Sequence, residues 1–306
     1  MTSAARPLVS IVTPTFNQAA YLEETIRSVL GQDYPNIEYL VLDDGSTDDT
    51  PTVLRRFDGL VRWERQDNMG QSRTLNKGWQ QAKGAYLGYL SSDDRLLPSC
   101  VSTLVRAMEA HPEVSVAYCD TAVIDKHGQL VSKPVAPEFD LRQLVEELNC
   151  LPGVGALFRR EVFEQTGGWR PDLQQIPDFE FWLRAVRFGP FLRVPGSLSE
   201  YRVYEESGSI RPVPYERTIE MVNTMRAYWN NDVSSDGARR SISHAHSLAA
   251  KLNAQSGRPL AALGQFWKAG RLRPRQFAQR SAWQRLVSAF LIYRASQARQ
   301  ITGHRR

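Results

Sequence analysis

The chain has 306 residues, 42% hydrophobic and 23% charged, which suits one α/β domain with a modest appendage and is ordinary for a soluble globular protein. No apolar run approaches the roughly 20 residues a membrane-spanning helix needs, the longest candidate being Leu286 to Tyr293. The net charge of +5 is unevenly spread: from Gly237 onward there is no Asp or Glu and there are fourteen Lys and Arg, so the preceding residues hold 24 cations against all 33 acids, a net of −9.

The first apolar segment, Leu8 to Val12, gives way at once to polar residues, unlike a signal peptide, and a cytosolic protein is expected. Cys100, Cys119 and Cys150 are odd in number, widely spaced and without a CxxC pattern, so buried thiols are expected rather than disulfides or a zinc site.

In chain order, short β-branched runs alternate with helical patterns, as in a parallel α/β sheet. Val9 to Val12 reads as a first strand. Asn17 is the predicted N-cap of a helix carrying Leu22, Ile26, Val29 and Leu30 on one face and stopped by Gly31. Ile37 to Leu42 reads as a second strand, ending in Asp43-Asp44-Gly45-Ser46-Thr47-Asp48 before a helix near Thr50 to Phe57. Val61 to Glu64 is a weaker strand, Gly70 to Gln81 a helix, and Ala85 to Leu90 a strand ending in Ser91-Ser92-Asp93-Asp94. Acidic residues thus collect at strand C-terminal ends, where open α/β sheets bind ligands. A helix from Pro98 to Ala110 and a strand from Val114 to Tyr118 follow, then a hairpin or loop over Asp125 to Pro137. A Gly-rich apolar segment, Pro152 to Phe158, leads to a helix over Glu161 to Gln165, the turn Gly167-Gly168-Trp169, and a helix over Asp178 to Phe188. From Val213 only helices are predicted: Tyr215 to Asn230, Arg240 to Ala254, Pro259 to Gly270 and Ala282 to Gln300. The boundary of this all-α appendage is placed near residue 212, and the first part divides into halves of about 8–120 and 121–212.

No GxGxxG or GxxxxGK[ST] loop is present, so phosphates bound here would need a metal. Asp93-Asp94 at a strand end can hold a hard divalent cation through oxygen ligands; taken alone, such a pair is also the start of a solvated turn.

The pair stands in a series of motifs. Val9-Ser10-Ile11-Val12-Thr13-Pro14-Thr15-Phe16-Asn17, Val41-Leu42-Asp43-Asp44-Gly45-Ser46, Asn68-Met69-Gly70, Asn76-Lys77-Gly78 and Ala82-Lys83-Gly84 lead up to Ser91-Ser92-Asp93-Asp94. Gly167-Gly168-Trp169 and Asp178-Phe179-Glu180-Phe181-Trp182 follow. From Leu8 to about Ser209 the series resembles the family 2 inverting glycosyltransferases with the GT-A fold. That resemblance implies a Rossmann-like mixed sheet flanked by helices, a nucleotide-sugar donor and a divalent cation, Mn²⁺ or Mg²⁺. It assigns Thr13, Pro14, Thr15 and Asn17 to the nucleotide loop and Asp44 to the base, with Asp43 on the ribose side or in the turn itself. Arg73 falls where the family places a diphosphate or base contact, and is otherwise a surface arginine at a helix start. Asp94 becomes the leading metal ligand, with Asp93 beside it on the metal, a metal-bound water or ribose. Asp178 becomes the catalytic base, against a plain N-cap, and Glu180 the reserve. Three departures from the pattern are Ser91 for the first carboxylate, Pro177 for the acid before the base, and Tyr204 for a histidine that can reach the metal.

The resemblance does not reach the basic tail. Its cations, interleaved with aromatic residues, suit an anionic membrane surface, which would place the protein peripherally on the inner face of the plasma membrane beside a polyprenyl-linked or other glycan acceptor. A basic helical cap with core aromatics is the alternative. No nucleic-acid recognition motif accompanies the tail. The function expected is transfer from a UDP-sugar, or a dTDP- or GDP-sugar, in cell-surface polysaccharide synthesis. The alternative is a nucleotide-sugar-binding protein that has lost turnover. A sugar-nucleotide pyrophosphorylase would need a Gly-rich GxGTR-like loop, which is absent.

Overall fold

The computed structural model describes residues 6–204, 212–277 and 288. Among these residues nine strands form one sheet: β1 (Val9–Thr15), β2 (Ile37–Asp43), β3 (Arg62–Arg65), β4 (Tyr86–Tyr89), β5 (Arg95–Leu96), β6 (Val116–Ile124), β7 (Leu130–Ser132), β8 (Leu157–Arg159) and β9 (Phe191–Arg202). Their order is β3-β2-β1-β4-β8-β6-β9-β5, with β7 alongside β6. The first four in that order are parallel to one another, and β6 is parallel to β9. The antiparallel β8 between β4 and β6, with β5 and β7, makes the sheet mixed. Central β1 is buried over its whole length, as an apolar β-branched run covered on both faces should be.

The helices around this sheet are α1 (Ala19–Leu30), α2 (Thr50–Arg55), α3 (Gln71–Gln81) and α4 (Cys100–Ala110). Two more follow in the same unit, α6 (Arg160–Thr166) and α7 (Pro177–Ala185), while α5 (Leu141–Val145) belongs to the second unit. Helix α1 buries Leu22, Ile26 and Val29 at helical spacing against the core shared with Val9, Ile11 and Val41. Helix α3 lies so close to β1 that a Cβ on Gly78 would stand 2.3 Å from Val12 Cγ1.

Two differences from the predicted elements have physical causes. Strand β6 runs on to Ile124 because the charge of Asp120 is neutralised inside the sheet by both Nε (3.0 Å) and Nη2 (2.9 Å) of Arg193. Strand β9, absent from the sequence reading, carries Pro195 and Gly196. The register with β6 slips there, from Cys119 opposite Val194 to Asp120 opposite Ser197, so an irregularity absorbs both breakers.

The chain divides into two compact units. The first comprises residues up to Phe139, Cys150–Asp172 and Pro177–Tyr204; the second comprises Asp140–Asn149, Leu173–Ile176 and the chain from Glu205. Two short segments upstream of residue 212 thus group with the C-terminal helices. In the second unit lie α5 and α8 (Tyr215–Thr218), α9 (Glu220–Tyr228), α10 (Asp236–Gln255), α11 (Pro259–Leu272) and α12 (Pro274–Phe277). Ser243 with Ala269 and His246 with Gln265 pair α10 and α11 as an antiparallel hairpin. Ala245, Ala249, Ala262 and Ala269 let the two backbones approach. The helix predicted over Ala282 to Gln300 lies outside the described residues.

Candidate active site

At the C-terminal edge of β1 and β2, Thr15 stands opposite Asp43. Both are buried, and among the described residues neither Thr15 Oγ1 nor Asp43 Oδ2 has a hydrogen-bond partner. Buried polar atoms are nearly always satisfied, so two adjacent orphans at the ligand-binding edge of an α/β sheet suit an incoming polar group. Asp43 Oδ1 accepts the Ser46 N–H at 2.9 Å, and Arg65 Nε lies 3.6 Å from Oδ2. Asp44 accepts the Met69 and Gly70 N–H groups and the Gln66 amide, each at 2.9 Å, so one of its four lone-pair sites is left. Thr13 is also buried, but its hydroxyl accepts from Tyr39 at 3.1 Å, and Pro14 is buried beside it. Arg73 is exposed in the first turn of α3, with only a 3.5 Å contact to the Met69 carbonyl.

Asn17 does not cap α1 as predicted. It sits at φ 53°, and its side chain accepts the Thr47 N–H at 2.8 Å, tying the nucleotide loop to the acidic turn. The first N–H of α1, on Ala19, is met instead from that turn, by Asp48 Oδ2 at 3.1 Å.

In the second acidic loop the two aspartates differ. Asp94 is 2% exposed; its Oδ1 accepts the Arg202 N–H at 2.8 Å and its carbonyl accepts from Thr25 at 2.8 Å. Burial and the neighbouring Asp93 charge push its carboxyl well above the usual range, with Arg202 opposing. Asp93 is only half-buried, and Tyr204 donates to its Oδ2 at 2.8 Å. The accessible carboxylate is therefore Asp93, whereas the sequence reading put Asp94 first; the sharp turn, with Asp94 N–H bonded to the Ser91 carbonyl, folds the second acid inward.

Asp178 lies in the first turn of α7, partly exposed, with Cys150 Sγ 4.0 Å from its Oδ2. Burial raises its pKa, against the opposing pull of the Phe179 N–H. Glu180 does not fit the reserve role: it is buried, and both carboxylate oxygens accept from Arg184 at 2.8 Å. The same guanidinium holds the carbonyls of Thr166 (2.5 Å) and Gly168 (2.6 Å), so the pair braces the turn before Trp169. Asn76 of α3 completes the brace through the N–H (2.8 Å) and carbonyl (2.7 Å) of Trp169.

Tyr89 joins the two sides. Its hydroxyl pairs with Ser91 at 2.6 Å and accepts from Gln71 at 2.7 Å, and its ring packs 5.0 Å from Trp169. Its pKa is raised first by burial, with the charges of Asp94, Asp93 and Asp178 all acting in the same direction. Neither Tyr89 nor Arg65 belongs to the site residues expected from sequence; both lie at strand ends beside the acidic turns, the one signal that marks them. Of the cysteines, Cys100 and Cys119 are buried as expected and Cys150 is exposed.

Among the described residues no group of three or more His, Cys, Asp or Glu is placed to hold a metal. A Mg²⁺- or Mn²⁺-type ion taking one or two carboxylates and completing its shell from diphosphate and water needs no such group, and Asp93 fits that donor set.

The mixed sheet with acids at its parallel strand ends defines a GT-A-type fold, and solved structures agree. TarS of S. aureus in complex with UDP-GlcNAc superposes with a TM-score of 0.63 at 16% identity, covering 95% of this chain and 92% of that one. The mannosyltransferase PcManGT of Pyrobaculum calidifontis, in complex with GDP-Man and Mn²⁺, gives 0.57 at 19% identity, covering 95% and 87%. The description of glycosyl transferase family 2 matches residues 10–167, over half the chain, and the protein belongs to that family. An uncharacterized glycosyltransferase of Rickettsia typhi is 30% identical over 73% of this chain and 71% of its own. Chondroitin synthase of Escherichia coli is 26% identical over 69% of this chain, which spans only 31% of that longer protein.

Proposed function

We propose that this glycosyltransferase moves a sugar from a nucleoside-diphosphate donor, most simply a UDP-sugar, to a hydroxyl of a glycan or lipid-linked acceptor with inversion, in cell-surface polysaccharide synthesis. The observation that carries the reading is the pair of unsatisfied buried atoms, Thr15 Oγ1 and Asp43 Oδ2, at the same sheet edge as Asp44 and Asp93. Thr15, Asp43 and Asp44 would take the nucleoside, with Thr13, Pro14 and Asn17 shaping the loop around it. Arg73, exposed and weakly held, is free to swing toward phosphate oxygens.

Asp93 would hold the divalent cation, with Asp94 fixing the loop that presents it. A bound Mn²⁺ or Mg²⁺ supplies neutralisation of the charge that develops on the departing diphosphate. Asp178 takes the proton of the acceptor hydroxyl as its oxygen forms a bond to the anomeric carbon. The carbon–oxygen bond to the diphosphate breaks with its electron pair, and configuration inverts. The raised pKa of Asp178 makes it a better proton acceptor once ionised. No helix among the described residues is long and apolar enough to cross a membrane. Contact with an anionic membrane surface through the basic C-terminal region remains part of the proposal, since it would bring a lipid-linked acceptor to the site.

Calorimetric titration of UDP, dTDP and GDP with and without Mn²⁺ tests the donor side. One nucleotide should bind in a metal-dependent manner, and Asp93→Asn should lose the metal dependence. Absence of binding by all three would contradict the reading; binding without turnover of any sugar donor would favour a nucleotide-sugar-binding protein that has lost catalysis.

A further inference from the structure

Among the described residues the carboxylate of Asp93 has one hydrogen bond, and it comes from the far end of the first unit. Strand β9 ends at Arg202, and two residues on the Tyr204 hydroxyl donates to Asp93 Oδ2 at 2.8 Å. The phenol is itself fixed: Gln18, just before α1, donates to its oxygen at 3.1 Å, and its ring lies 5.0 Å from that of Tyr21. Arg202, 1% exposed, locks the same loop from below. Its backbone N–H holds Asp94 Oδ1, its Nε donates to the Asp93 carbonyl at 2.8 Å, and its Nη2 reaches Glu24 at 2.7 Å. The guanidinium also stacks 4.7 Å over Tyr21. One short stretch therefore grips the acidic loop at a carbonyl and at both carboxylates.

We propose that Tyr204 is a positioning residue for the cation: its hydroxyl, oriented by Gln18, holds Oδ2 of Asp93 so that the remaining lone pairs face the diphosphate, while Arg202 fixes the backbone beneath. The inference rests on the metal-assisted reading above. It follows from the chemistry of ligating carboxylates, whose orientation and basicity are set by the hydrogen bond on the other oxygen, and whose outer partners typically account for about 10- to 100-fold in metal affinity. A hydroxyl suits the task because it satisfies one lone pair without the charge of Lys or Arg, which would repel the cation.

The test is Tyr204→Phe, which removes one oxygen and leaves the ring on Tyr21. Mn²⁺ binding by the full-length protein is measured by electron paramagnetic resonance with saturating UDP, and UDP affinity by calorimetry with Mn²⁺ and with EDTA. The expected result is about 10-fold weaker Mn²⁺ binding, with UDP affinity in EDTA and the melting temperature unchanged. Gln18→Ala, which leaves the phenol free to turn, should show the same loss in smaller degree. Wild-type Mn²⁺ affinity in Tyr204→Phe overturns the positioning role and leaves the metal reading intact. Loss of UDP affinity in EDTA as well would make Tyr204 a packing residue and also overturn it. A wild-type protein whose UDP binding ignores Mn²⁺ overturns both.

Discussion

Two pairs of carboxylates in this site look alike in sequence and are separated by what surrounds them. Asp178 has no ion pair among the described residues, and burial raises its pKa. Glu180, two residues on, spends both oxygens on Arg184. A base must be ionised to accept a proton, so the raised pKa moves the acid limb of the kcat/KM profile above that of an ordinary exposed aspartate: activity is lost as pH falls through the shifted value and is full above it. An acid limb at or below the value of an ordinary exposed aspartate would contradict this. Glu180→Gln is expected to act elsewhere, destabilising the fold by on the order of 2–3 kcal/mol by stranding the Arg184 charge, with UDP affinity retained in the folded fraction. Urea denaturation and calorimetry separate the two effects.

At the scale of elements, the turn before Trp169 carries the connection between the nucleotide and acceptor sides. Gly168 sits at φ +84°, and a Cβ there would stand 2.2 Å from Asn76 Oδ1, the atom that accepts the Trp169 N–H. Gly168→Ala should therefore cost roughly 1–3 kcal/mol in urea unfolding; an unchanged midpoint would show that the turn yields. The strands from β1 to β4 and helices α1, α3 and α4 were legible because apolar periodicity and turn residues agreed there. Strand β9 was not, because Pro195 and Gly196 read as breakers, and the irregularity that accommodates them depends on pairing with β6, which lies more than 70 residues earlier in the chain. Arg202 stands in a Tyr-Arg pair that the sequence displays, but its burial beneath the acidic loop depends on that same unrecognised strand. The difference between Asp93 and Asp94 depends on a turn and on donors from β9, and adjacent identical letters cannot display it. The Asp44 partners, Met69 and Gly70, are equally remote from it in sequence.

Across the whole molecule the charge is segregated, with a net of −9 before Gly237 and fourteen cations without an acid after it. If that region meets an anionic surface, the full chain should sediment with phosphatidylglycerol-containing vesicles, be released as salt rises above physiological strength, and ignore neutral phosphatidylcholine vesicles. Equal sedimentation with both would count against an electrostatic contact.

Family membership and fold leave the chemistry itself to be tested, and Asp178→Asn tests it most directly. With a donor identified by nucleotide titration, sugar transfer or donor hydrolysis is compared between wild type and variant, alongside nucleotide affinity. Nucleotide affinity should be unchanged and the rate about 1,000-fold lower, the scale of a lost general base. A variant that turns over at the wild-type rate would contradict it and remove Asp178 from the mechanism.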